Sequence, residues 1–314
     1  MDLFAIIEKK RPKLKKSSIE NYIRNVKKLN GNNEIKSLDF LNNPDDLIEK
    51  LKKDENRVTK DTTIRNYLTS ALVVLDALDD NSKDELIKKY QKILKEYAEK
   101  INLKYISNEK NEKESKNWLS FDELKEIQKD YEKKVNEMDL NKKNHITPKN
   151  NKTLLYYLIS SLYTLHVPLR LDWANMHYTK NKKDTEDKSK NWFFDKGTYS
   201  KIIYLNDYKT QKKFGNVEMK LDKELSKIIN LYRKFNTGDY FLLNSRGFRM
   251  SQNSLSKMIP QVFKKGNKTI NLNMIRKSKT SSVIDVEQMK KEQQLAKDML
   301  HSQSIQQTVY AKKD

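Results

Sequence analysis

Residues 154–173 read LLYYLISSLYTLHVPLRLDW, and the parsing of this stretch decides the fold. Leu154–Leu165 predicts a strongly apolar helix, and Pro168 marks where the chain has left it. Arg170 follows at once, between Leu169 and Leu171. Arginine is scarce in this chain, nine residues in all, so one wedged between leucines at the end of a packed helix asks for an explanation. A guanidinium leaving such an end in a fixed direction can grip a phosphate through two parallel hydrogen bonds. The alternative is an ion pair with Asp172.

Outward from this stretch, order breaks into two blocks. On the N-terminal side a polar break near Asn141–Lys152 precedes the apolar helix, and before that Ser120…Glu123 spells a capping box opening another helix. Residues 105–116, YISNEKNEKESK, show no apolar period and read as an interdomain linker, with a domain over 117–314 beyond it. Residues 17–104 predict four helices. The first spans 17–29 behind a Ser17…Glu20 box, with others over 45–53 and 61–78. The fourth begins at a Ser82…Glu85 box and carries its stripe to Ile101. Residues 1–16 read as a basic arm, and Lys9–Lys13 as a nuclear address or a DNA-contacting cluster. On the C-terminal side, 192–194, 201–205 and 217–219 predict short strands of a small antiparallel sheet. Helices return over 222–235 and 251–264, and from about 272 to the end. The fold class expected is mostly α, with that small antiparallel β-sheet in the C-terminal domain.

Composition sets the class of partner. Lys plus Arg number 64 against 43 Asp plus Glu, a formal charge of +21. Such an excess favours a polyanion, whose condensed counterions the basic side chains displace; a merely Lys-rich surface from an AT-rich genome is the alternative. The absence of cysteine excludes disulfides, thiolate metal sites and cysteine nucleophiles. Four histidines, at 145, 166, 177 and 301, argue against a histidine metal centre. No apolar run approaches the ~18 residues of a membrane span, and residues 1–16 lack a signal-peptide core. The cytoplasm or a nucleus is the expected compartment.

The C-terminus supplies the last chemistry-bearing groups. Ser304-Ile305-Gln306-Gln307 predicts a capping box and a helix starting at Ser304. Tyr310 lies six residues along it, and His301 in the preceding turn. In one unbroken helix of about 3.6 residues per turn these two would face opposite ways; a break at the cap lets them converge.

Taken in order, these pieces resemble the tyrosine recombinase (phage integrase) family over about residues 17–310. Its catalytic domain carries an Arg after an apolar helix, matched by Arg170, and a Lys in a β-hairpin, matched by Lys209 in Asp207-Tyr208-Lys209-Thr210. Its H-x-x-R motif falls on Asn273 and Arg276, its next His on His301, and its nucleophile on Tyr310. The nine-residue gap from His301 to Tyr310 is the family's usual spacing. Two departures stand out: Asn273 replaces the motif's first His, and Trp173 stands three after Arg170, where relatives often carry an acid, leaving Asp172 the nearest. The chain also runs only four residues past Tyr310, shorter than the tail with which many relatives dock on a neighbouring subunit.

The resemblance implies a helical core-binding domain and an α+β catalytic domain that close on duplex DNA as a C-shaped clamp. It implies assembly as a tetramer on synapsed DNA. Tyr310 would attack a phosphate to give a 3′-phosphotyrosyl link, with Arg170, Arg276 and His301 holding the phosphate and Lys209 protonating the leaving 5′-oxygen; neither metal nor other cofactor is needed. The activity implied is site-specific recombination or integration of a mobile element. The lysine-, asparagine- and isoleucine-rich composition and the Arg170–Met176 wording resemble integrases of large DNA viruses and virophages. A type IB topoisomerase, or a non-catalytic DNA-binding protein retaining the fold, are the alternatives.

Overall fold

The computed structural model describes residues 2–53 and 59–310 of the chain. They divide into two compact units, Met1–Glu109 and Lys110–Asp314, each with its own apolar core.

The first unit is helical: α1 (Leu3–Lys10), α2 (Lys16–Leu29), α3 (Pro44–Lys53), α4 (Asp61–Ala77) and α5 (Asp84–Ile106). The apolar stripe of α4 is its centre, and α1, α2, α3 and α5 all pack on it. The expected basic arm is in fact α1. Asp2 caps it by accepting from the amides of Phe4 and Ala5, and Leu3 and Ile7 enter the core. Lys10 and Arg11 at its end pair with Asp79 and Asp76, so these two cations are held on the fold itself. The boxes read at Ser17 and Ser82 do not form. α2 starts one residue early with Lys15 at its cap and no side-chain cap, and near α5 it is Asp80 that accepts from the Ser82 amide. A capping motif needs its Ser at the cap position, and here Lys15 and Lys83 occupy those positions.

In the second unit, α6 (Glu112–Asn117) lies inside the expected linker. Asn111 and Glu114 close a reciprocal capping box there, and Glu114 pairs with Lys277. α7 (Phe121–Glu137) starts at the expected Ser120…Glu123 box. α8 (Pro148–Thr164) begins earlier than its apolar run, because Thr147 caps it and Pro148 occupies the first turn, where a missing N–H costs nothing. Every residue of α8 from Leu154 to Thr164 except Tyr156 is buried. Its polar members are satisfied within the helix: Ser160 and Ser161 donate to the Tyr157 carbonyl and Thr164 to that of Ser160.

The sheet follows, with strands β1 (His177–Thr179), β2 (Trp192–Gly197) and β3 (Ser200–Leu205). Then come the short α9 (Gln211–Phe214) and β4 (Val217–Lys220), in the order β1-β2-β3-β4. The expected antiparallel sheet is corrected to a mixed one. β2–β3 and β3–β4 are antiparallel, but β1, which sequence patterning did not reveal, pairs parallel to β2. Three residues are too few to display alternation. Phe193, Ile203 and Leu205 join the main core, while Trp192, Phe194, Ile202 and Tyr204 cluster together separately. Lys201, almost fully buried, is closed by Asp195 and the Gly197 carbonyl. α10 (Lys223–Phe235) and α11 (Gln252–Val262) pack on α8. A two-stranded ribbon, β5 (Lys264–Lys265) with β6 (Lys268–Thr269), precedes α12 (Leu272–Ser281) and α13 (Val286–Asp298). α14 (Gln303–Ile305) and a π-turn over Gln306–Tyr310 end the described chain; the helical reading from 272 to the end runs on over 311–314, outside the described residues.

Replacing Ile7 with Ala should cost ~2–5 kcal/mol of stability by chemical denaturation, as for other fully buried isoleucines. A loss near zero would mean that Leu3–Lys10 is a loose arm after all.

Candidate active site

Arg170 sits in the irregular segment after α8, between Leu169 and Leu171, which pack against the core. Its carbonyl accepts a 2.9 Å hydrogen bond from the Tyr163 hydroxyl in the last turn of α8. Three residues on, Trp173 is fully buried against Phe241 and the edge of His166, and anchors the far end of the segment. Its indole nitrogen finds no partner among the described residues. His166 turns Nδ1 to the Val167 carbonyl, and burial pulls its pKa down, which favours a neutral ring.

Arg276 comes from α12. Asn271 caps this helix by accepting from the Met274 amide at 3.0 Å, Met274 and Ile275 enter the core, and the buried Ser278 hydroxyl donates to the Leu119 carbonyl. These contacts fix the helix's rotation and leave Arg276 at the core's rim, half-buried. Asn273 lies exposed in the first turn, three residues before Arg276 and so on the same side. There its amide and the free N–H groups of the helix start suit an anion.

The two arginines and Asp172 form one electrostatic group. Burial is the main cause that lowers the pKa of Arg276, and repulsion from Arg170 adds to it; Asp172 opposes both. Burial raises the Asp172 carboxyl above its ordinary value, against the pull of Arg170 first, then of the Arg170 and Asp172 backbone amides, and of Arg276 last. The ion pair considered for Arg170 and Asp172 does not close: among the described residues neither guanidinium is sealed by an ion pair or a side-chain hydrogen bond. Among the described residues the two half-buried cations face Asp172 with no ion pair closing either, an arrangement that suits an added anion.

Lys209 is exposed in the turn that joins β3 to β4. Asn191 pins the start of that turn by accepting from the amides of Asn206 and Asp207, both at 2.8 Å, and Tyr208 pins it further by donating to the Gly215 carbonyl. Among the described residues the Lys209 side chain makes no hydrogen bond or ion pair.

His301 and Tyr310 are brought together, but by a different device from the one expected. Ser304 is not the cap; Ser302 accepts from the Ile305 amide, and the helix opens at Gln303. α13 closes with Leu300 at φ 57°, the left-handed region, as the His301 amide reaches back to the Ala296 carbonyl. The two rings then stack at 4.9 Å with 16° between their planes. His301 turns Nδ1 to the Ser302 carbonyl, and its Nε2 is covered without a partner, whereas the Tyr310 side is largely exposed. Among the described residues no hydrogen bond or cation–π contact joins this ring pair to the arginines.

Sequence reading missed Tyr163 and Asn191. Tyr163 lay on an apolar helix and read as core, which it also is; Asn191 lay in a polar loop with nothing to mark it. Among the described residues no group of three or more His, Asp or Glu gathers as a metal site, and no helix is long and apolar enough to cross a membrane. No known family model and no curated protein sequence matches this chain.

The raised carboxyl of Asp172 gives a signed test. A folded-state pKa above the unfolded value of 3.8 means that this group's contribution is most favourable below that value and is lost as pH rises through the folded pKa. Melting curves of Asp172→Asn and the parent should therefore diverge in the variant's favour as pH rises above 3.8. A constant difference would show that the carboxyl titrates normally.

Proposed function

We propose that this protein is a tyrosine recombinase, which cuts and rejoins duplex DNA through a covalent bond between Tyr310 and a 3′-phosphate. The observation that carries the reading is the meeting of Arg170 and Arg276, 106 residues apart in the sequence, in one half-buried group that no ion pair closes among the described residues. A phosphodiester supplies that anion, with two non-bridging oxygens for two planar forks. The stacked His301 and Tyr310 supply a phenol and an imidazole on one short segment. The +21 charge supports a nucleic-acid substrate.

In the proposed step the exposed Tyr310 oxygen attacks phosphorus as its proton passes to water, and the bond from phosphorus to the 5′-oxygen breaks. Free tyrosine titrates near ~10, so the phenol must lose its proton as it attacks. Arg170 and Arg276 hold the charge that grows on the phosphate oxygens, the largest catalytic contribution expected in such a site. The Lys209 ammonium gives the 5′-oxygen its proton. His301 hydrogen-bonds the phosphate, and Asn273 donates to it where relatives place a charged imidazole. The 5′-hydroxyl of another strand reverses the step. Exchange between two duplexes needs four cleavages and therefore four tyrosines, so four copies assemble on the DNA. Integration of a mobile element is the outcome this reading favours.

A second reading, a DNA-binding protein that cuts nothing, is favoured by Asn273, which can neither take a proton nor carry charge. One experiment decides. With a nicked duplex the parent protein should form a covalent adduct and Tyr310→Phe none, at unchanged DNA affinity; an adduct in the variant refutes the nucleophile, and none in the parent favours the second reading. Affinity should also fall about 10³–10⁵-fold between 50 and 200 mM salt if roughly 6–10 phosphates are contacted.

A further inference from the structure

We infer that Tyr163 is a positioning residue for Arg170: its hydroxyl holds the Arg170 backbone so that the guanidinium is aimed into the place it shares with Arg276. The inference rests on the recombinase reading and adds to it a residue outside the set matched by resemblance.

The segment from His166 to Asp172 belongs to no helix or strand, and Pro168 has no N–H to offer. Leu169 and Leu171 pack on the core, and two further contacts hold the segment. At its far end the Trp173 indole is seated in the core against Phe241. At Arg170 itself the hold is the hydrogen bond from the Tyr163 hydroxyl to the carbonyl, 2.9 Å long. Tyr163 is fully buried and its ring belongs to the core, so the hydroxyl is a fixed point rather than a mobile one. Burial also pushes its pKa up, so it stays a donor at any physiological pH. Asp172 and Arg276 both act on this phenol electrostatically, which places it among the charged groups of the site rather than behind them. Without the hydroxyl, Trp173 still anchors the segment and the ring still fills the core. The Arg170 carbonyl then loses the hydrogen bond that fixes its direction, while Leu169 and Leu171 keep their places on the core.

The test is Tyr163→Phe in the full chain, assayed by adduct formation on a nicked duplex in single turnover at saturating DNA. The rate constant should fall by about 10–100-fold, the scale of a displacement of about 1 Å. The dissociation constant for the same duplex should change by less than about twofold, since one aimed fork is a small part of a many-phosphate interface. The thermal midpoint should leave the variant folded at the assay temperature. A parental rate constant overturns the inference, as does a rate loss matched by an equal loss of affinity. So does a variant unfolded under assay conditions, because the hydroxyl would then hold the core and not the arginine. If the parent forms an adduct and Tyr163→Phe equals it, only the positioning role fails; if the parent forms none, the recombinase reading itself has failed.

Discussion

The burial of α8 governs the second unit. Helices α7, α10 and α11 all pack on it, and its serines and threonine bond within the helix, so nothing polar is stranded inside. A helix enclosed in this way leaves its chain few exits. The segment that follows must pass along the rim, return Trp173 to the interior and leave Arg170 at the boundary between core and solvent. α12 repeats the arrangement from another direction, with Met274 and Ile275 inside and Arg276 at the edge. The site is therefore a place where two elements of one core each release an arginine.

Charge separates that place from the other buried cation of the unit. Lys201 is more deeply buried than either arginine, yet Asp195 and a carbonyl close it, and Tyr178 donates to the same carboxylate. That network is complete and asks for no ligand. The arginines differ: Asp172 acts on both of them, yet among the described residues no ion pair closes on either. A pair of cations in that state is relieved by an anion from outside, and this preference is the physical content of the proposed chemistry.

The C-terminal segment is built on weaker terms. Its turn places a leucine where glycine is usual, its last residues form a π-turn, and two buried polar atoms, His301 Nε2 and Gln306 Oε1, lack partners. Leu300, Ile305 and Val309 meanwhile lie open to solvent. Each feature costs some stability by itself. The segment that carries the proposed nucleophile is thus held far less firmly than the arginines are.

The sequence by itself determined the helices with strong apolar periods, the Ser120…Glu123 cap, the three longer strands and the candidates Arg170, Lys209, Asn273, Arg276, His301 and Tyr310, because burial patterns and side-chain chemistry are written locally. Several features escaped it for want of a local signal: the parallel pairing of a three-residue β1, the helical nature of residues 3–10, and caps displaced from Ser17, Ser82 and Ser304. Tertiary structure alone decided that Arg170 and Arg276 share one electrostatic group, that no carboxylate among the described residues closes an ion pair with them, and that a core tyrosine holds the backbone of one of them. Those are relations between residues far apart in the chain, or between a side chain and a backbone bent back upon it, and they exist only once packing has fixed the distances.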